Sequence, residues 1–274
     1  MKIISFNINS VRAHMHQLEA LINSHAPEII ALQETKVTDV DFPIEKIKSL
    51  GYHSYFHGQK THYGVAILSN MQADKVVKGF SHDTSESQKR LISCDFTAAN
   101  GTRVTVINGY FPQGESRDHP IKFPAKQKFY ADLTAHLAAS YTEQDNLAVV
   151  GDINISEQDC DIGIGEKNAK RWLQTGKCSF LPEERAMLKV LTQESIAGGL
   201  TDSYRHLYPQ GRDLSWFDYR SRGYDDTPKR GLRIDQIMLS KQLLSACTDT
   251  GIDYQVRAME KPSDHAPVWA ELDL

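Results

Sequence analysis

Ala148-Val149-Val150-Gly151-Asp152-Ile153-Asn154-Ile155-Ser156 reads as an apolar strand that runs into a carboxylate and an amide. Side chains alternate along a strand, so Val150, Asp152 and Asn154 are expected on one face and Val149, Gly151, Ile153 and Ile155 on the other. A buried strand does not carry a carboxylate without a partner. An Asp and an Asn after a strand also suit a plain turn, in which both bond to local backbone. A functional site is favoured because several other strands of this chain end the same way.

Working outward, Phe129, Leu133 and Leu137 mark the buried stripe of a helix from Pro124 to about Ser140. Arg103 to Tyr110 before it reads as a strand, which completes a strand, helix, strand unit. Leu91 to Phe96 pairs with that strand through an Asn100-Gly101 hairpin signal. Nearer the start, Ile3 to Asn9 is a strand with Ile4, Phe6 and Ile8 on one face and Ser5, Asn7 and Asn9 on the other. A helix follows from about Ala13 to His25, with Leu18, Leu21 and Ile22 at helical spacing and Pro27 as its stop. Glu28 to Glu34 is an apolar run of strand length that ends in an acid. Tyr52 to His57 and Gly64 to Ser69 read as two sheet strands joined by a polar loop.

Downstream, Asp161 to Phe180 is Gly-rich, polar and basic, and is expected as an irregular excursion that contacts a substrate. Pro182 opens a helix carrying Met187, Leu188 and Leu191, with Gly198-Gly199 as its stop. Leu232 to Leu239 reads as a strand with an acid, Asp235, amid apolar residues. Asp264-His265 stands immediately before the terminal strand. No linker, composition break or short repeat divides the chain, so one domain over residues 1–274 is expected.

The composition, 40% hydrophobic and 24% charged, is that of an ordinary water-soluble protein, and no window approaches a membrane-spanning run. Ile3-Ile4-Ser5-Phe6 follows Met1-Lys2 without the basic region, apolar stretch and cleavage site of a signal peptide, so a cytoplasmic location is expected. Cys94, Cys160, Cys178 and Cys247 are far apart and form no C-x-x-C pair, so neither a disulfide framework nor a structural zinc site is indicated. The net charge of −4 argues against a chain that coats nucleic acid with its whole surface. Basic clusters nevertheless occur: Lys122, Lys126 and Lys128, then Lys167, Lys170, Arg171 and Lys177, then Arg220, Arg222, Lys229, Arg230 and Arg233, in segments that also hold Phe123, Trp172, Trp216, Phe217 and Tyr219. Such clusters suit either a solvated surface or a phosphate backbone with stacked bases.

Asn7, Glu34, Tyr110, Asp152, Asn154, Asp235, Asp264 and His265 come from separate segments, each at or near the end of an expected strand. In a layered α/β fold such ends gather into one cleft. Hard oxygen donors with one histidine and no thiolate suit Mg²⁺, with Mn²⁺ as a substitute, better than Zn²⁺. The chemistry such a set suits is phosphodiester hydrolysis. That reaction needs a metal to offset phosphate charge, a carboxylate to orient and deprotonate water, and donors for the developing oxyanion.

Six stretches carry a resemblance: Leu32-Gln33-Glu34-Thr35-Lys36, Asn108-Gly109-Tyr110-Phe111-Pro112-Gln113-Gly114, Gly151-Asp152-Ile153-Asn154, Ser215-Trp216-Phe217-Asp218-Tyr219-Arg220, Gly231-Leu232-Arg233-Ile234-Asp235 and Ser263-Asp264-His265-Ala266-Pro267. Together they resemble the bacterial exonuclease III family, the exonuclease III and abasic-endonuclease branch of the endonuclease/exonuclease/phosphatase superfamily. The likeness runs nearly end to end. It implies a four-layered α/β sandwich, two packed mixed β-sheets flanked by helices, with a site at one edge. It implies Glu34 as the main metal ligand, with Asn7, Asp152, Asn154, Asp264 and His265 as further metal-site residues, for one ion or two. Asp152 would align and deprotonate the attacking water, and Asn154 would hold the phosphate or the water. His265 would donate to a phosphate oxygen with Asp235 fixing it, and Tyr110 would sit at the phosphate as donor or phenolate. Trp216 and Leu232 would line a pocket for a base-less sugar, and Arg90 would contact the DNA backbone.

The activities implied are 3′→5′ exonuclease on duplex DNA, cleavage 5′ to abasic sites and removal of 3′ blocks, by a monomer that acts on double-stranded DNA in the nucleoid. The chain departs from the family pattern at Ser10, where glycine is usual, at Gln236, where leucine or tyrosine is usual, and in a longer Asp225 to Arg230 loop. The core motifs also suit a phosphatase on a lipid or sugar phosphate, and the scaffold suits a DNA-binding protein without catalysis. Trp216 and the basic insertion favour DNA, and no expected catalytic position is missing.

Overall fold

Alternating and continuous apolar runs define two sheets. In a computed structural model describing residues 1–274, the first half of the chain forms β1 (Lys2–Asn7), α1 (Met15–His25), β2 (Ile29–Gln33), α2 (Ile44–Ser49), β3 (His53–His57), β4 (Val65–Ser69), β5 (Lys75–Lys78), β6 (Leu91–Thr97), β7 (Arg103–Tyr110) and α3 (Lys122–Ser140). The second half forms β8 (Leu147–Asp152), α4 (Glu166–Thr175), α5 (Pro182–Val190), β9 (Thr201–Asp202), α6 (Ser203–Leu207), β10 (Asp235–Leu239), α7 (Lys241–Ser245), β11 (Cys247–Ile252), α8 (Tyr254–Arg257) and β12 (Val268–Leu272). The strands make two six-stranded mixed sheets, ordered β11-β12-β1-β2-β4-β3 and β5-β6-β7-β8-β10-β9. No helix is long and apolar enough to cross a membrane.

The sheets pack face to face through Ile3, Ala31 and Ile67 on one side and Phe96, Val106, Val150 and Ile237 on the other. The second face of each sheet is covered by helices. Ile4, Phe6 and Leu32 meet Leu18 and Leu21 of α1, while Val149 and Ile107 meet Phe129, Leu133 and Leu137 of α3 and Leu188 of α5. Helix, sheet, sheet, helix is therefore the order of the layers, and the expected four-layered sandwich is the one found. Burying both faces of each central strand is why these strands read as continuous apolar runs. Helix α1 stops as its sequence requires: Ala26 turns left-handed (φ 42), its N–H closes on Ile22 O, and Pro27 follows.

The sheets are also tied by polar groups just behind their shared edge. Asn108 Nδ2 in β7 donates to Leu32 O and Ala66 O of the opposite sheet at 2.9 and 2.8 Å, and Gln33 Nε2 donates to Asn108 Oδ1 at 2.7 Å. In a dry interior such bonds between the layers favour one register of one sheet on the other. Gly151 has a related task. It sits at φ 146 opposite Gly109, where a Cβ would lie 1.9 Å from Gly109 O, so only glycine lets β7 and β8 close up where their catalytic ends begin.

Several local expectations are corrected. The alternation drawn through Asn154 stops at Asp152, because β8 ends there and Asn154 turns left-handed (φ 54). The segment from Asp161 to Phe180 is not irregular. It contains α4, and Asp161 within it is fully buried, bonded to Arg233 Nε at 2.7 Å and Arg205 at 2.5 Å. The helix from Pro182 ends at Val190, well before Gly198. Strands β5 and β11 escaped the sequence reading because they are edge strands: Lys75 to Lys78 is exposed throughout and Cys247-Thr248-Asp249-Thr250-Gly251-Ile252 is mostly polar.

Gln236 is 1% exposed, and neither its Nε2 nor its Oε1 has a hydrogen-bond partner in the protein. Leaving a buried amide unpaired costs about 1–3 kcal/mol. Gln236→Leu is accordingly expected to raise unfolding stability by an amount in that range, read from denaturant midpoints at unchanged m-value. An unchanged or lowered midpoint would count against the buried-amide penalty.

Candidate active site

Parallel β1, β2, β7 and β8 finish at one edge of the sandwich, and antiparallel β10 and β12 begin there. Asn7, Glu34, Tyr110 and Asp152 therefore arrive from strand ends, while Asp235 and His265 arrive from strand starts. Register completes the convergence: Asp152 lies opposite Tyr110 on one side and opposite Asp235 on the other.

At the centre, Asn7 Nδ2 donates to Glu34 Oε1 and to Asp152 Oδ2, both at 2.9 Å. Ligand atoms of Glu34, Asp152 and His265 all lie within 4.8 Å of one another. His265 Nδ1 faces both oxygens of Asp235 at 3.0 and 2.9 Å, and its Nε2 lies 3.8 Å from Asp152 Oδ2. Asp235 is held in turn by Ser215, whose Oγ donates to Oδ2 at 2.6 Å and accepts from the Asp235 N–H at 3.1 Å. Ser263 Oγ donates to Asn7 O at 2.7 Å and accepts the His265 N–H at 3.2 Å, which ties the end of β1 to the segment that leads into β12.

The electrostatics follow from burial and these partners. Burial works against an imidazolium at His265, but Asp235 and Asp152 outweigh it and push the ring up to about 10. Burial pushes the Asp152 carboxyl up, the His265 charge opposes this and Asp235 reinforces it, so Asp152 sits above the usual carboxylate range. Burial also opposes ionisation of Glu34, yet Lys36 Nζ at 2.9 Å and the Asn7 amide bring it below its ordinary value. For Tyr110, burial and then the Glu34 and Asp152 charges hold the phenol well above its ordinary value.

The remaining expected residues are placed as follows. Asn154 is buried beside Asp152, its N–H on Asp152 Oδ1 at 3.1 Å and its Nδ2 on Phe111 O at 3.0 Å. Asp264 uses Oδ1 to accept from Asn9 Nδ2 at 2.9 Å and Oδ2 to accept from Trp216 Nε1 at 3.0 Å, so it orients the indole. Trp216 and Leu232 exchange backbone hydrogen bonds. Leu232 is 1% exposed, and the indole supplies most of the open wall. Arg90 does not project outward. Its guanidinium lies 4.2 Å from the Tyr63 ring centroid and 4.8 Å from that of Tyr110, and Nη1 donates to Tyr110 O at 3.0 Å.

Sequence reasoning missed Lys36, Tyr63 and Ser215. Lys36 stood two residues from Glu34 and carried a charge signal; Tyr63 and Ser215 carried none, since loop tyrosines and serines are common. The backbone here is unusual: Asn9 (φ 47), Ser10 (φ 96), Glu34 (φ 51), Lys36 (φ 56) and Asn154 (φ 54) are all left-handed without being glycine. Such strain collects at functional sites, where surrounding contacts hold it. Ser10, at the position where the resemblance led glycine to be expected, takes the left-handed backbone itself, and its N–H bonds Glu34 O at 2.8 Å.

Next to Trp216, a cleft of about 410 Å³ is lined by Arg171, Trp172, Lys177, Arg220 and Arg230 among others. Lys177 Nζ lies 3.8 Å from the Trp172 centroid, and Trp172 stacks on Phe180. The longer 225–230 loop borders it and is pinned by Lys229 on Tyr224 O at 2.7 Å and by an Arg230–Asp226 ion pair.

Two face-packed mixed sheets that deliver carboxylates, amides and a carboxylate-paired imidazole to one edge define a phosphoesterase class of fold and site. The model of the Endonuclease/Exonuclease/phosphatase family matches residues 4–265, and the chain belongs to that family, in its exonuclease III branch. Exodeoxyribonuclease III of Haemophilus influenzae is 55% identical over 99% of both chains. Among solved structures, a 3′-5′ exonuclease from Neisseria meningitidis is 36% identical with a TM-score of 0.89, covering all of both chains. The Neisseria protein is also known as a 3′ phosphatase bound to a product DNA hairpin. An AP endonuclease from Archaeoglobus fulgidus is 30% identical with a TM-score of 0.88, again over all of both chains.

Proposed function

We propose that this chain is a DNA-repair nuclease that hydrolyses phosphodiesters of duplex DNA, resecting 3′ ends, cutting 5′ to abasic sites and clearing blocked 3′ termini. The observation that carries the reading is the meeting of Glu34, Asp152 and His265 within 4.8 Å, with Asp235 on the far side of the imidazole. The names of the relatives in Haemophilus, Neisseria and Archaeoglobus support the substrate class. All the proposed activities are one reaction, water attacking phosphorus with a 3′-side oxygen leaving.

The donor set fits a divalent cation. Glu34 and Asp152 are hard oxygen donors that share one Asn7 amide group, and no thiolate is near, which suits Mg²⁺ or Mn²⁺. Glu34 and Asp152 would hold the ion with Asn7 beside them, and the bound ion would offset charge on the phosphate. The chain's own residues do the rest. Asp152, with a raised pKa, takes the proton of the attacking water. Asn154 is aimed by Phe111 O and Asp152 at the same place. The His265 imidazolium donates to a phosphate oxygen while Asp235 holds its other nitrogen. Tyr110 adds a neutral phenol donor, kept in place by Arg90 and Tyr63. Trp216, oriented by Asp264, would line with Leu232 the pocket for a sugar without a base, and the cationic cleft beside it would follow the backbone. One chain supplies every group of the site, which supports action as a monomer, and a duplex DNA substrate supports a place in the cytoplasm at the nucleoid.

Abasic duplex cleavage run beside 3′ resection of an intact duplex tests the proposal, with an inositol polyphosphate as the competing substrate. Turnover of the DNAs is expected, with loss of at least about 10³-fold in EDTA and recovery on adding Mg²⁺. Turnover of the inositol phosphate alone would end the DNA reading, and cleavage that persists in EDTA would end the metal role.

A further inference from the structure

Helix α3 lies outside the sheet, yet two of its side chains reach the backbone of the catalytic turn. Lys126 and Tyr130, one helical turn apart, are both buried against the sheet. Tyr130 Oη donates to Ile153 O at 2.7 Å, and Lys126 Nζ donates to Asn154 O at 2.9 Å. These carbonyls belong to the two residues that follow Asp152. Lys126 Nζ also donates to Gln113 O at 3.3 Å, in the segment after Tyr110, and to Glu184 Oε1 at 2.5 Å. Glu184 Oε2 accepts the N–H groups of Ser179 and Leu181 at 2.7 and 2.8 Å, and Ser179 O accepts the Ser156 N–H at 2.6 Å. The three donors of one ammonium are thus spent on the loop after β7, the loop after β8 and the segment that enters α5.

Both members of the Lys126–Glu184 pair have fully buried side chains. A dry ion pair is seldom more stable than apolar side chains of the same volume, because desolvation consumes its Coulombic gain. Stability therefore does not explain why the pair is here, whereas its geometry does. Asn154 is strained at φ 54, and its carbonyl is free to swing unless something holds it. The ammonium holds that carbonyl and the Tyr130 hydroxyl holds the one before it. Two consecutive peptide planes are fixed, and with them the direction of the Asn154 amide and of the N–H it gives to Asp152.

We propose that the Lys126–Glu184 pair, with Tyr130, is a positioning device that aims Asp152 and Asn154 and keeps their loop in step with the one carrying Tyr110. None of the three touches substrate. The inference rests on the roles given above to Asp152 and Asn154.

The test is steady-state kinetics on duplex DNA with melting temperatures measured alongside. Lys126→Met combined with Glu184→Met removes both charges at similar volume. It is expected to fold with a lowered melting temperature, because the Ser179 and Leu181 N–H groups and the Gln113 and Asn154 carbonyls lose their partners. Assayed where it is fully folded, it is expected to lose about 10- to 100-fold in kcat with KM changed by less than about twofold, because misplacement near 1 Å has about that effect. Lys126→Arg keeps a donor and a charge facing Glu184, and is expected to recover most of that kcat. Tyr130→Phe deletes one hydroxyl and is expected to lose several-fold in kcat alone. Wild-type kcat in the folded double variant overturns the proposal, as does a loss that falls on KM or follows the unfolded fraction. If the double variant does not fold, Tyr130→Phe decides, and wild-type kcat there overturns it. Asp152→Asn measured in parallel separates the two levels: full turnover in that variant overturns the reading of the site, whereas its loss beside full turnover in the positioning variants overturns the positioning alone.

Discussion

Asp152→Asn is expected to lower turnover on duplex DNA by at least about 10²-fold, close to 3 kcal/mol of transition-state stabilisation, while the protein stays folded. The substitution is nearly isosteric, and it removes the one group placed to take a proton from water. It also replaces an acceptor by an amide that must choose between the Asn7 donor at 2.9 Å and the His265 Nε2 at 3.8 Å. Fold stability is expected to hold or rise, because a carboxylate 2% exposed carries a desolvation cost that an amide does not. DNA affinity, measured by titration without turnover, is expected to remain. Turnover within a few-fold of wild type would remove Asp152 from the chemistry.

His265→Ala is expected to cost at least about 10²-fold in turnover and, unlike the first variant, several kcal/mol of stability as well. The imidazolium lies between Asp235 and Asp152, so deleting it leaves two buried carboxylates facing each other without a cation. The pH dependence carries a further signature. A ring whose folded pKa is pushed up to about 10, against an ordinary value of 6.5, is protonated across the neutral range. Its contribution to stability is complete below about pH 6.5 and is lost as pH rises through about 10. The basic limb of the rate profile is accordingly expected far above 6.5, and Asp235→Asn, which removes the larger of the two supporting charges, is expected to move it down. A basic limb near 6.5 in the wild-type protein would contradict the imidazolium role.

The contrast between these two variants reflects where each residue came from in the sequence. Asp152 was legible from its own strand, because an acid that ends an apolar run is an anomaly that local context cannot explain away. Asp235 was legible for the same reason. His265 drew attention only as part of an Asp-His pair, and Asp264 beside it turned out to serve Trp216 and Asn9. Arg90 looked from sequence like a cation free to meet DNA, and it is stacked between Tyr63 and Tyr110. Lys126 read as one more charge in a basic helix and is a fully buried node. Side-chain type and spacing report what a residue is able to do. Its partners come from distant segments, and no local pattern names them.

By itself, the sequence determined an α/β chain, through its runs of buried strand and the helical stripes of Leu18, Leu21, Leu133 and Leu137, and the chemical inventory at the strand ends, while its resemblance to the exonuclease III family implied the four layers. Only the tertiary structure decided which edge those ends share, that Asp152 lies in register with both Tyr110 and Asp235, and that Asn154 reaches the site by a left-handed turn and not by strand alternation. The physical reason is the range of the forces. Periodicity and capping act over a few residues, whereas register, close approach at Gly151 and the charge balance around His265 arise between segments that meet only when the two sheets close.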